Sequence, residues 1–145
     1  MTLRANIERW LPVAAAALFG ATHALWLPST YPPRGEDLIS AVLDISGIAV
    51  GFLATGQALL CSMTDNFVVS TLRKHGRFND MLRMFSVAIY WLLGLVIYSL
   101  LSFFADFQTH HVLFSLWIAL LAGASVATLQ ILRLFHKILR VPSPS

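Results

Sequence analysis

The stretch MLRMFSVAIYWLLGLVIYSLLSFFA at residues 81–105 is almost entirely apolar, and its one charged side chain, Arg83, lies near its start. A helix needs about 20 mainly apolar residues to cross roughly 30 Å of hydrocarbon, so this stretch is long enough to span a bilayer. Within lipid every backbone N–H and C=O must be bonded inside the segment, which a helix achieves. The stretch therefore predicts a transmembrane helix.

Three further apolar blocks lie at residues 11–27, 38–63 and 112–135. The first is rich in alanine and near the short limit for a span, and we expect its Pro12 to lie in the first helical turn. Its basic start, with Arg4 and Arg9, also fits a cleaved signal peptide, although Glu8 is unusual in such a start. We interpret the block as a fourth span.

The composition supports this fold class. The chain is 57% hydrophobic and 12% charged, whereas a soluble domain carries about 25% charged residues because its surface must be solvated. We predict an all-α integral membrane protein: one transmembrane domain, residues 1–145, with a connector at 64–80 and a tail at 136–145. Because the other connections are short, neighbouring spans should form an antiparallel four-helix bundle.

Basic residues predict the orientation. Those expected on one side of the membrane are Arg4, Arg9, Arg73, Lys74, Arg77, Arg83, Arg133, Lys137 and Arg140, and Arg34 alone is expected on the other. Cytoplasmic loops carry an excess of Lys and Arg, so we expect both termini in the cytoplasm.

The connector is predicted to contain a short amphipathic helix on the cytoplasmic side. Its basic residues suit anionic lipid headgroups, and the alternative is a docking surface for a cytoplasmic partner. The candidates for lipid or partner binding are Arg73, Lys74, Arg77, Arg83, Arg133, Lys137 and Arg140.

The second span carries a stripe of small and polar residues at intervals of three and four, which places them on one helix face. We call Ser40, Asp44, Gly47, Gly51, Thr55, Ala58 and Ser62 the α2 stripe. One interpretation is a close helix–helix seam, since small residues let backbones approach. The other is the lining of a water path between assembled copies, with Asp44 attracting cations roughly 9 Å below the outer end of the span.

Other polar and small residues have simpler interpretations. Gln57 and Gln130 are expected to donate hydrogen bonds between helices, or to join the stripe in lining a pore. Further small-residue seams are predicted at Ala16, Gly20 and Ala24 in the first span and at Ala119, Gly123 and Ala127 in the fourth.

Several function classes are disfavoured. The single cysteine, Cys61, excludes an intramolecular disulfide and a CxxC redox pair. A haem held by His23 with His110 or His111 is poorly supported, because two of these lie in a predicted loop. No nucleotide-binding fingerprint, catalytic triad or metal-ligand spacing is present. We predict no enzyme activity, cofactor or metal, and no direct nucleic-acid binding.

Part of the chain resembles a known family. The sequences PRGED at 33–37, SGIAVGFL at 46–53 and LRKHGR at 72–77 follow a layout similar to that of the small four-span proteins of phage-exclusion and abortive-infection systems, of the RexB type. The resemblance covers roughly residues 33–105 and departs in the shorter, alanine-rich first span. It implies an oligomeric, ion-conducting pore of the bacterial inner membrane that depolarises the cell, with a cytoplasmic sensor as partner.

Our leading hypothesis is therefore a self-assembling small ion channel or depolarising effector, embedded in membrane lipids as a homo-oligomer. The main alternative is a non-catalytic anchor or accessory subunit for a cytoplasmic partner. A small proton-coupled exporter ranks third, because it needs a carboxylate deep in the bundle and Asp44 lies near the outer surface.

Overall fold

The computed structural model describes residues 3–26, 34–62, 77–104 and 111–139. These ranges contain four α-helices and no strand: α1 (Leu3–Trp26), α2 (Gly35–Ser62), α3 (Arg77–Ser102) and α4 (His111–Leu139). Three apolar segments are long enough to cross a membrane, namely Gly35–Ser62, Phe78–Ser102 and Val112–Leu134, and that of α1, Trp10–Trp26, is shorter. The all-helical fold is confirmed, together with three helices of spanning length.

Helix α1 begins well before its apolar block. It starts at Leu3, so Pro12 lies in its interior, and the placement of this residue in the first turn was wrong. Hydropathy shows where the apolar block begins, at residue 11, but not where the helix begins. The helix also includes the more polar residues that precede the block. Pro12 has no N–H to donate to the carbonyl of Glu8, and its ring is fully buried.

The helices are not packed in chain order. α1 packs against α4, α4 against α3, and α3 against α2. Among the described residues α1 and α2 share no extensive contact, although they are consecutive. Neighbours in sequence therefore pack for two of the three connections, and α4 takes the position beside α1. The spatial order is α2, α3, α4, α1, which leaves α2 at one edge.

Contacting pairs show the register of the helices. Tyr98 in α3 donates a hydrogen bond of 3.0 Å to the carbonyl of Leu113 near the start of α4. Earlier in α3, Trp91 lies against Gly123, which comes later in α4. Residue numbers thus rise in one helix as they fall in the other. The same holds for α1 and α4, where His23 contacts Ser115 and Gly20 lies against Ala119.

The core lies mainly between α3 and α4. Its most deeply buried large side chains are Phe85, Leu95, Trp117 and Ile131. In lipid, apolar burial gives little driving force because acyl chains are as apolar as leucine, so close packing and interhelical hydrogen bonds carry the stability. One such bond joins Trp117 Nε1, the donor, to Ser99 Oγ at 2.9 Å.

Candidate functional site

The α2 stripe lies on the face of α2 that points away from α3. The residues through which α2 packs, Ile39, Ser46 and Leu53, are buried and recur every seven positions. A helix turns about 100° per residue, which puts the stripe on the opposite side. Asp44, Gly47, Gly51, Thr55, Ala58 and Ser62 are exposed, and Ser40 is half-buried. No other described helix of the chain covers this face.

The two stripe glycines have open space beside them. A Cβ added at Gly47 or Gly51 would meet no atom within 4 Å. The predicted close approach to another helix is therefore not made within the described part of the chain. The room that these glycines provide is available to a helix outside it.

Hydroxyl groups on the stripe present oxygen lone pairs. Thr55 Oγ1 donates to the carbonyl of Gly51 at 2.8 Å, and Ser62 Oγ donates to the carbonyl of Leu59 at 2.9 Å. A hydroxyl has one hydrogen, so after these bonds only acceptor positions remain. Together with the Asp44 carboxylate, the stripe offers acceptors at three levels of α2, which is suited to cations.

A bulky apolar surface borders the stripe. Ile48 is 74% exposed and Phe52 73% exposed on the neighbouring flank of α2. The outward face of this helix is thus divided lengthwise into a small polar strip and a large apolar strip. In a bilayer the flank with Ile48 and Phe52 is suited to contact with acyl chains, whereas the small and polar residues of the α2 stripe are not.

Gln57 makes a hydrogen bond between two helices. Its Nε2 donates to Ser86 Oγ at 3.3 Å and joins α2 to α3. Ser86 in turn donates to the carbonyl of Leu82. Gln130 is half-buried on α4.

His23 contacts a residue that the sequence did not suggest. Its Nδ1 lies 2.9 Å from Ser115 Oγ, and its ring meets the ring of Phe114 edge-on at 5.3 Å. Sequence reasoning paired it with His110 or His111, but His110 and the side chain of His111 lie outside the described residues. Ser115 is one of three hydroxyl residues in α4, and only the α1–α4 register shows that it faces His23.

Metal ligation finds no support where the structure is described. Among the described residues no three His, Cys, Asp or Glu side chains come together as a possible metal site. Cys61 is exposed near the end of α2.

The basic candidates are only partly described. Arg83 and Arg133 are exposed. Arg73, Lys74 and Arg140 lie outside the described residues, as do the side chains of Arg77 and Lys137. The amphipathic helix predicted in the connector also falls outside them.

A groove runs between α2 and α4 above α3. Its volume is about 310 Å³, and its walls are mostly apolar. It is lined by Val42, Ile45, Ser46, Ala49, Leu92, Leu95, Leu121, Ala124, Ser125, Thr128 and Leu129. No sequence signal indicated it, because it depends on α3 separating two helices that are not consecutive.

Comparison with the models of known protein families, with curated proteins and with solved structures finds no match to this chain.

Proposed function

We propose that the chain is a membrane protein that self-associates through the α2 stripe and forms a small cation-conducting path between copies. The observation that carries this proposal is the position of Asp44, exposed on a face of α2 that no described helix covers. Asp44 lies about 9 Å past residue 38, where the apolar part of α2 begins, at 1.5 Å per residue. Carboxylates at such depth are costly in lipid and almost always face protein or water.

The neighbouring residues support contact between copies. Gly47 and Gly51 leave room for a second backbone, and small residues at a four-residue spacing are typical of membrane helix contacts. One α2 helix supplies only one side of a path, so conduction requires several copies. Acceptor oxygens along the stripe favour cations over anions.

We place all four helices in the bilayer as an antiparallel bundle with both termini in the cytoplasm. The apolar part of α1 is short, but α1 packs along α4 with Gly20 against Ala119 and His23 against Ser115. Its outward residues Leu18 and Leu25 are exposed and apolar, which suits lipid contact at that depth. The orientation rests on the distribution of basic residues.

The likeness to phage-exclusion proteins adds the expectation that opening depolarises a bacterial inner membrane. A cytoplasmic sensor acting on the basic side is the corresponding partner.

The test combines particle mass and ion flux. The full chain is reconstituted in nanodiscs for native mass spectrometry and in vesicles for cation flux. Asp44→Asn should keep the oligomer but lower cation flux roughly tenfold or more, because a focused negative charge raises local cation concentration. Gly51→Leu should disrupt the oligomer and abolish flux.

Matched variants control for general damage. Asp80 is exposed in the first turn of α3, so Asp80→Asn removes an equivalent charge elsewhere. Gly94 also has open space beside it, so Gly94→Leu adds the same bulk on α3. Both controls should behave like the unmodified protein. A strictly monomeric particle, with Asp44→Asn leaving flux unchanged, overturns the proposal. A single copy bound to a stoichiometric partner would instead favour the membrane anchor.

A further inference from the structure

The groove between α2 and α4 lies at the depth of acyl chains. Leu92 and Leu95 of α3 form its floor, with Ala49 on one wall and Leu121 and Leu129 on the other. Ala49, Leu92 and Leu121 fall near the middle of the three segments long enough to cross a membrane, and Leu129 lies nearer the C-terminal end of its segment. The groove therefore opens sideways at the level of hydrocarbon.

The α4 wall offers no hydroxyl hydrogen to an occupant. Ser125 Oγ donates to the carbonyl of Leu121 at 2.8 Å, and Thr128 Oγ1 donates to the carbonyl of Ala124 at 2.8 Å. With these hydrogens used inside the helix, a polar ligand gains little on this wall and would lose its own hydration. A hydrocarbon chain makes no hydrogen bonds to water, so it loses none when it enters the groove.

The same wall continues to a basic end. Leu132 and His136 follow Thr128 at successive intervals of four residues, so they share its face of α4. Arg133 follows Leu129 at the same interval. Leu132, Arg133 and His136 are all exposed. Beyond the groove, this face of α4 therefore carries the apolar side chain of Leu132 and then the nitrogen-bearing side chains of Arg133 and His136.

The length of this track matches one leaflet. Leu121 and Arg133 are separated by about 18 Å along α4 at 1.5 Å per residue. Half of a hydrocarbon core of roughly 30 Å is about 15 Å. A chain whose tip lies at Leu121 would therefore bring its headgroup to the level of Arg133.

We propose that the groove holds one acyl chain of an anionic phospholipid, with its phosphate bound by Arg133 and His136. Guanidinium groups bind phosphate through paired, charge-assisted hydrogen bonds. The occupied leaflet is the one at the C-terminal end of α4. This site does not depend on conduction or on contact between copies, so it can hold even if the channel proposal fails.

The experiment counts bound lipid. The full chain is purified in detergent, titrated with phosphatidylglycerol or with phosphatidylcholine of the same tails, and examined by native mass spectrometry. We expect one tightly bound phosphatidylglycerol per chain. Arg133→Gln should weaken phosphatidylglycerol binding roughly tenfold, the usual order for losing a hydrogen bond to a charged group, and should reduce the preference over phosphatidylcholine.

Filling the groove should act differently. Ser125→Phe places a ring in the groove and should weaken both lipids alike. Its matched control is Thr22→Phe on α1, because Thr22 is also exposed and also donates to its own helix, at the carbonyl of Leu18. Arg34→Gln is the control for charge, because Arg34 is exposed and is expected on the opposite side of the membrane. Both controls should bind lipid as the unmodified chain does.

Three results would overturn the proposal. Arg133→Gln and Arg34→Gln could weaken binding equally, which indicates general surface charge. Ser125→Phe could leave both lipids bound while its circular dichroism matches that of the unmodified chain. Ser125→Phe could also change the oligomer mass and not the lipid count, which indicates that a second copy occupies the groove. Because Arg133 is exposed, Arg133→Gln should fold normally. Its affinity for phosphatidylglycerol therefore tests the headgroup contact even if Ser125→Phe does not fold.

Discussion

Four glycines of the described helices occupy two contrasting settings. Gly20 and Gly123 are pressed against other helices: a Cβ at Gly20 would lie 2.8 Å from Ala119 Cβ, and a Cβ at Gly123 would overlap the ring of Trp91. Gly47 and Gly51 occur in a similar small-residue pattern, yet a Cβ at either meets nothing within 4 Å. The same sequence pattern thus closes two contacts inside the chain and leaves a third open.

The position of each helix in the bundle distinguishes the covered glycines from the open ones. The covered glycines lie on α1 and on α4, the helix that packs against both α1 and α3. The open ones lie on α2, at one edge of the bundle, and share their face with Asp44. We propose that another copy of the chain packs against the open face. Substitutions at the covered contacts should therefore affect the fold, and substitutions at the open face should affect association.

The largest effect should come from the α3–α4 contact. In Gly123→Ala the new Cβ would lie 2.6 Å from Trp91 Cε3, so the ring or the helix must move. Overpacking of this kind costs about 1–3 kcal/mol. Unfolding in detergent, followed by circular dichroism, should show this loss. Gly94→Ala, with open space on α3, provides the control, and equal stability of the two variants would contradict the assignment.

A smaller loss is expected at the α1–α4 contact. Gly20→Ala brings two methyl groups together, and the cost should lie near the lower end of the range for overpacking, about 1 kcal/mol. Because the obstacle is the Ala119 methyl group, Ala119→Gly in the same chain should restore stability. A double variant no more stable than Gly20→Ala would show that the two residues are not in contact.

The polar bridge between α3 and α4 should contribute less still. Ser99→Ala leaves the Trp117 N–H without its acceptor, and interhelical hydrogen bonds in membranes are worth about 0.6 kcal/mol on average and up to about 1.7 kcal/mol. Ser125→Ala is the matched change, since that hydroxyl bonds only to its own helix. Unfolding should separate the two variants, and an identical midpoint for both would argue against the bridge.

No loss of fold stability is expected at the stripe itself. Gly47→Ala and Gly51→Ala add methyl groups to open space, so the unfolding free energy of the isolated chain should not fall, and the better helix propensity of alanine should raise it by roughly 0.5–1 kcal/mol. The same changes should weaken association, as native mass spectrometry at increasing detergent dilution would show. Marked destabilisation of the single chain would mean that this face is covered by the chain itself.

Much of the fold could be predicted from hydropathy. The predicted blocks 38–63 and 112–135 correspond to α2 and α4, because apolar length defines membrane helices. The spatial order of the helices was not predictable. The sequence marks small-residue faces on α1 and on α4, and Gly20 and Ala119 of these faces do meet, but it does not show which helix each face contacts. That α1 lies beside α4 depends on matched small residues on both.

The residues of the candidate site could be predicted from the sequence, but their surroundings in the fold could not. The periodic small and polar residues of α2 indicated a special face, and the structure places it outward. Neither the contact of His23 with Ser115 nor the groove could be derived, because each depends on the register of helices distant in sequence.

The most direct test of the central claim is cross-linking in native membranes. Cys61 is exposed, so it is first replaced in Cys61→Ser, and Gly51→Cys or Gly94→Cys is then added. A short bifunctional maleimide should link Gly51→Cys into covalent dimers, because the stripe meets the same stripe of another copy, and should leave Gly94→Cys monomeric. If Gly51→Cys yields no more dimer than Gly94→Cys, the stripe does not face a second copy and the account is wrong.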